Sequence, residues 1–131
     1  MGDARENRQQ DNRVVETGLP PRLAEDQFYR ALSVPQRRRL LYYLLSEEES
    51  TVEELATVLT GWDATTTGTM QTSVDWSGLR LSLVHSHLPQ LAEAGLIDYD
   101  PQVGAVRLAS IHPRVADIIY RSVEAEQRAD S

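Results

Sequence analysis

Side chains able to do chemistry gather in two places, the run Arg37-Arg38-Arg39 and the stretch holding Arg80, Ser82, His85, Ser86, His87 and Gln90. The second group is a set of short hydrogen-bond donors and acceptors at helical spacing. Such groups suit base edges, while arginine suits phosphate. Metal chemistry is not expected. His85 and His87 stand two apart and so do not share a helix face, His112 precedes Pro113 in a connector, and cysteine is absent. His87 reads as a packed or hydrogen-bonded side chain at a helix edge rather than a ligand. No glycine-rich phosphate loop, cysteine nucleophile or serine elbow occurs, and Glu53-Glu54 has the form of a solvated pair. The expectation is a binding protein with no catalytic residue, metal or cofactor.

These groups need elements to hold them. Val84, Leu88 and Leu91 fall on one helical stripe, and Gly95 is suited to end that helix in the left-handed conformation. Two short runs rich in branched residues follow, ending at Tyr99 and spanning Ala105–Leu108, separated by the turn Asp100-Pro101-Gln102-Val103-Gly104. Helix, glycine stop and hairpin make the order of a winged helix. On a wheel built around Leu81, Val84, Leu88 and Leu91, the outward positions are Ser82, Ser86, Pro89, Gln90 and Glu93. His85 flanks that face and Arg80 stands near its amino end. Gln102 and Arg107 lie on the wing, where Arg107 is the better candidate for phosphate.

Upstream, Ala24, Phe28, Ala31 and Leu32 have helical spacing after Pro20-Pro21, and Pro35 divides that helix from one over about residues 36–45. Arg37 shares a wheel side with Leu40 and Leu44, whereas Arg39 points with Tyr42 toward solvent. An arginine run at a helix amino end opposes the macrodipole and wants acidic partners or phosphate; with this many glutamates nearby, internal salt bridges are the favoured outcome. Glu47 to Glu49 reads as a solvated turn. Thr51 and Glu54 have capping-box spacing ahead of a short helix ending near Gly61. Residues 60–77, nearly all Thr, Gly, Ser, Gln and Met from Thr65 to Ser73, read as a flexible insertion with Trp62 and Trp76 at its base.

Composition sets the surroundings. There are 20 acidic residues against 13 basic ones, and every basic residue is arginine. Trading lysine for arginine and short acids suits a salt-rich cytoplasm; GC-rich codons would also supply the arginines. No apolar run is long enough for a membrane span, and none near Met1 forms a signal core. Residues 1–21 are polar with balanced charge, which predicts a disordered tail and not a basic arm. The expected domain covers residues 22–127, with 128–131 as a tail.

Three motifs in order also resemble a known family. Ala31-Leu32-Ser33-Val34-Pro35-Gln36-Arg37-Arg38-Arg39-Leu40-Leu41 resembles the opening of ArsR-type winged-helix repressors. Val52-Glu53-Glu54-Leu55-Ala56 resembles the first helix of their helix-turn-helix, and Val84 to Ile97 their recognition helix with its Glu-Ala-Gly-Leu-Ile exit. His87-Leu88-Pro89 and the lysine-free acidic background are more similar to a haloarchaeal branch of winged-helix domains. The cysteine pair of metal-sensing relatives is replaced by Ser50-Thr51-Val52-Glu53-Glu54. The resemblance implies a mainly α winged helix-turn-helix with a small β-hairpin wing. It further implies a transcriptional regulator that inserts helix 79–94 into the major groove of double-stranded DNA. Arg80, Ser82, His85, Ser86, Gln90, Gln102 and Arg107 are the expected DNA contacts. First and last helices pair across a two-fold axis in that family, which implies a homodimer through Phe28, Leu32, Ile118, Ile119 and Val123. A last helix folded back on its own protomer is the competing arrangement, and a protein-interaction module without DNA binding is the competing function.

Overall fold

Prolines open the first two helices and the last, each at a first-turn position where a missing N–H costs nothing. The computed structural model describes residues 21–67 and 73–130. In chain order they form α1 (Pro21–Leu32), α2 (Pro35–Glu47), β1 (Glu49–Thr51), α3 (Val52–Thr67) and α4 (Ser73–Ser82). A π-helical turn (Leu83–His87), α5 (Leu88–Glu93), β2 (Ile97–Asp100), β3 (Ala105–Leu108) and α6 (Pro113–Asp130) follow. This is the expected class, mainly α with a small wing: a winged helix-turn-helix. No described helix is long and apolar enough to cross a membrane.

The sheet has three antiparallel strands in the order β1-β3-β2. Glu49 opens β1, pairing with Arg107, where the sequence suggested only a turn from Glu47 to Glu49. Three residues are too few for a periodicity signal, and pairing with the wing decides the conformation. Alternation then sorts the faces. Ser50, Val106 and Tyr99 lie in one cross-strand row toward the core, while Glu49, Arg107 and Asp98 lie in another that is exposed.

The cap on α3 is half of what its motif suggests. Thr51 Oγ1 accepts the Glu54 N–H at 3.1 Å, but the Glu54 carboxylate takes the hydroxyls of Ser50 at 2.7 Å and Tyr43 at 3.0 Å. These hydrogen bonds, Ser50's foremost, hold the Glu54 carboxyl below its ordinary value. The helix does not stop near Gly61. It continues to Thr67, with the hydroxyls of Thr57, Thr60 and Thr65 donating to carbonyls four residues back. Helical bonding satisfies the threonines that suggested a loop. Most of the insertion expected at 60–77 is therefore helix, and Trp76 Nε1 ties α4 to α3 through Thr57 Oγ1 at 3.0 Å. Its centre, 68–72, and residues 1–20 of the tail expected at 1–21 lie outside the described residues, while Pro21 already belongs to α1 and α6 runs past Gln127 to Asp130.

One feature of the second helix of the helix-turn-helix controls everything it presents. From Ser73 to Glu93 it is continuous, but Leu88 N–H donates to the Leu83 carbonyl, five residues back. Pro89 explains the wide turn: it has no N–H to give, and its ring would collide with the carbonyl four residues earlier in an α-helix. The extra residue rotates everything upstream relative to Leu88. Leu83, Leu88 and Leu91 are fully buried, whereas Leu81, expected on the apolar stripe, is 57% exposed. The helix ends as expected: Gly95 has φ +79°, its N–H donates to Ala92 O, and Leu96 N–H donates to Leu91 O, the paired bonds of a Schellman cap.

Candidate nucleic-acid interface

Arg37 of α2 is the centre of the inner face. It is 5% exposed, and its guanidinium meets only uncharged groups. Nε donates to His87 Nδ1 at 3.0 Å. Nη1 donates to the Arg30 carbonyl at 3.0 Å and to Gln90 Oε1 at 3.1 Å, and Nη2 reaches Ser86 Oγ at 3.4 Å. One arginine thus joins the last turn of α1, α2 and the π turn with α5. Burial lowers the Arg37 pKa, though a guanidinium so bonded keeps its charge. Burial, and secondarily the Arg37 charge, lower the His87 pKa. Because a ring nitrogen that accepts from Arg37 carries no proton, His87 is neutral here, with its hydrogen on Nε2.

That arrangement bears on part of the expected DNA set. Ser86 and Gln90 are half-buried and bonded to Arg37 on the inner side of the helix. The wheel missed this because it assumed an unbroken α-helical phase. A signal was present: an arginine on the same side as Leu40 and Leu44 needs polar acceptors, and Ser86, His87 and Gln90 are those acceptors.

The neighbouring arginines behave differently. Arg38 pairs with Glu126 at 3.1 Å and donates to Leu32 O at 2.7 Å. Arg39, expected in solvent beside Tyr42, has a side chain only 12% exposed; it bridges Asp63 and Glu126 at 3.0 Å each and lies over the Trp62 ring. Both follow the expectation of internal salt bridges, and Arg37 does not.

On the outer face, Leu81, Ser82, His85, Pro89 and Glu93 are exposed. Arg80 is engaged by Glu53 of α3, its Nη2 and Nε donating to Oε2 at 2.8 and 3.1 Å. The same contact holds the Glu53 carboxyl below its ordinary value. Arg107 is exposed in the row between its register neighbours Glu49 and Asp98. Gln102 is exposed at the wing tip, where its N–H donates to Asp100 Oδ1, and Val103 beside it is 72% exposed. Ser82, His85, Gln102 and Arg107 are the expected contacts that are exposed. Among the described residues no group of His, Cys, Asp and Glu is placed to hold a metal ion.

The expected dimer surface also divides. Ile119 and Val123 are fully buried inside their own protomer, where α6 packs on α2. Their stripe is used within the chain, as in the folded-back arrangement. Phe28 and Leu32 are half-buried and Ile118 is 48% exposed; with Tyr29 they line a cavity of about 300 Å³ between α1 and α6.

The chain belongs to the family described as Domain of unknown function (DUF7344), whose model matches residues 29–107. That span runs from the end of α1 through the helix-turn-helix and the wing to β3. No curated protein and no solved structure matches the chain.

Proposed function

We propose that this protein is a DNA-binding transcriptional regulator of the winged helix-turn-helix class, related to the ArsR-type repressors. The observation that carries the proposal is the outer face of the second helix, which leaves Leu81, Ser82 and His85 exposed. These offer an apolar contact, a hydroxyl and an imidazole at a major groove, with Gln102 reaching the adjacent backbone. Arg80 is bonded to Glu53 and Arg107 has an acid at the paired position on each neighbouring strand, so contact depends largely on short-range hydrogen bonds and shape. In the molar-salt cytoplasm that the lysine-free composition suits, the Debye length is about 3 Å and counterion release contributes little. The regulator acts as a homodimer through the α1–α6 groove, with Tyr29 and Ile118 as its exposed apolar edge.

The test is selection from a pool of genomic fragments at molar KCl, followed by sequencing of what is retained. A two-fold symmetric site is the expected result, and the Ser82→Ala, His85→Ala double variant should lose roughly tenfold in retention. No enrichment from folded protein would end this proposal. It would favour the second reading, a protein-interaction module, which the exposed acids Glu49, Glu53, Glu93 and Asp98 support.

A further inference from the structure

The inner network does more than fill space. A buried arginine normally keeps a carboxylate beside it, because an uncompensated charge away from water is costly. Arg38 and Arg39 follow that rule on the same helix, yet Arg37 has only a carbonyl, an amide, a hydroxyl and an imidazole. Of these four acceptors, the imidazole alone can lose its acceptor character near neutral pH. It also sits in the π turn, the one place where the helix departs from α geometry.

We propose that the Arg37–His87 hydrogen bond is a proton-operated latch on the second helix of the helix-turn-helix. With His87 neutral, Arg37 Nε–H is accepted by Nδ1 and the π turn is tied to α2 and α1. A proton on Nδ1 turns the acceptor into a donor and sets two cations against each other across 3.0 Å. The contact must then open, and the imidazolium moves toward solvent, which the half-buried ring can reach. Among the described residues, the charge acting on it is that of Arg37 and no acid is bonded to it. From α2 the charged group facing it is Arg37, and from α1 the group in the network is the Arg30 carbonyl. Its own helix supplies Ser86 and Gln90, which do not titrate, His85, which is exposed on the outer side of the same turn, and Arg80, which is bonded to Glu53. α3 packs on the π turn with Leu55, Ala56 and Leu59 fully buried in the shared core. The acids nearest the arginine run, Asp63 and Glu126, are bonded to Arg39.

Opening acts on the outer face through the backbone. Leu83 to His87 is the wide turn that phases Ser82 and His85 relative to Leu88, so loosening it changes where those groups point. That consequence for DNA rests on the proposed function; the latch itself does not.

The experiment is a pH titration of the full chain by two-dimensional NMR from pH 8 to pH 5, at a salt concentration that keeps it folded. The His87 ring should titrate below the ordinary histidine value of about 6.5. Amide resonances from Leu83 to Gln90 should move with the same midpoint, while those of β2 and β3 stay in place. Every NMR sample carries His85→Gln, so that His87 is the one imidazole of the turn. In His87→Gln, whose amide oxygen can still accept from Arg37 but takes no proton, the movement in 83–90 should vanish. In Arg37→Met the ring midpoint should rise toward the ordinary value. A ring that titrates with no movement in 83–90 would overturn the latch, as would the same movement persisting in His87→Gln. DNA retention is scored separately over the same pH range. Its absence at every pH would count against the proposed function and leave the latch to the NMR result.

Discussion

The two faces of the second helix carry similar residues and use them in opposite ways. Inside, Ser86, His87 and Gln90 are bonded to one buried guanidinium, and Leu83 is sealed in the core. Outside, Ser82 and His85 are presented to solvent, and Leu81 is 57% exposed. Serine, histidine and leucine each occur on both sides, so residue type does not assign the role. Phase does, and the π turn sets the phase. A candidate contact list drawn from residue type alone therefore mixes structural and presented groups.

The sharpest way to break this comparison is a pair of leucine truncations. Leu83→Ala should cost about 3 kcal/mol, in the range for a fully buried leucine. Leu81→Ala, two residues earlier, should stay within about 0.5 kcal/mol. Urea or guanidinium unfolding at fixed salt measures both, and equal losses would show that the helix has no such change of phase.

Arg37→Ala comes next, with an expected cost of about 2 kcal/mol, because it leaves the half-buried His87 ring nitrogen and Gln90 amide oxygen without their donor. Arg39→Ala should cost less, about 1 kcal/mol, and its effect should shrink as salt rises, since that side chain is held by two partly exposed carboxylates. If the two variants respond alike to salt, the distinction between a neutral and an ionic cradle fails.

Acid sharpens the contrast further. Because the His87 pKa is lowered on folding, the unfolded chain binds that proton more readily. The contribution is complete above the unfolded value of about 6.5, falls as pH drops through it, and levels off below the folded value. Denaturation midpoints taken between pH 8 and pH 5 should show this loss in the native sequence and lack it in His87→Gln. The smallest effect is expected outside: Ser82→Ala should leave the unfolding midpoint unchanged within error, with its cost confined to DNA retention.

Much of the fold was legible because its signals are local. Prolines mark helix starts, Gly95 marks a stop, and an alternating hairpin follows Gly95 closely. What escaped the sequence depends on contacts far along the chain. β1 exists because β3 lies beside it. α3 runs past Gly61 because its threonine hydroxyls bond backward along the helix and its Trp62 packs with Tyr42 on α2. The π turn was within reach, since Pro89 inside a helical pattern announces a disturbed preceding turn. Its consequence, that Leu83 and not Leu81 faces inward, follows from Leu88 lying five residues after Leu83. The inward turn of Ser86 and Gln90 required knowing that Arg37 packs fifty residues upstream of its acceptors. Ile119 and Val123 were legible as apolar and misassigned, because an amphipathic stripe does not say whose core it completes.

The exposed row Glu49-Arg107-Asp98 has one more effect. β2 is an edge strand, and its free edge would otherwise be a template for a strand from another molecule. Asp98 and Asp100 alternate along it with their carboxylates in solvent, so a second copy approaching edge to edge brings like charges together. The wing thereby guards the protein against stacking into ribbons, and at high concentration it keeps the sheet at three strands.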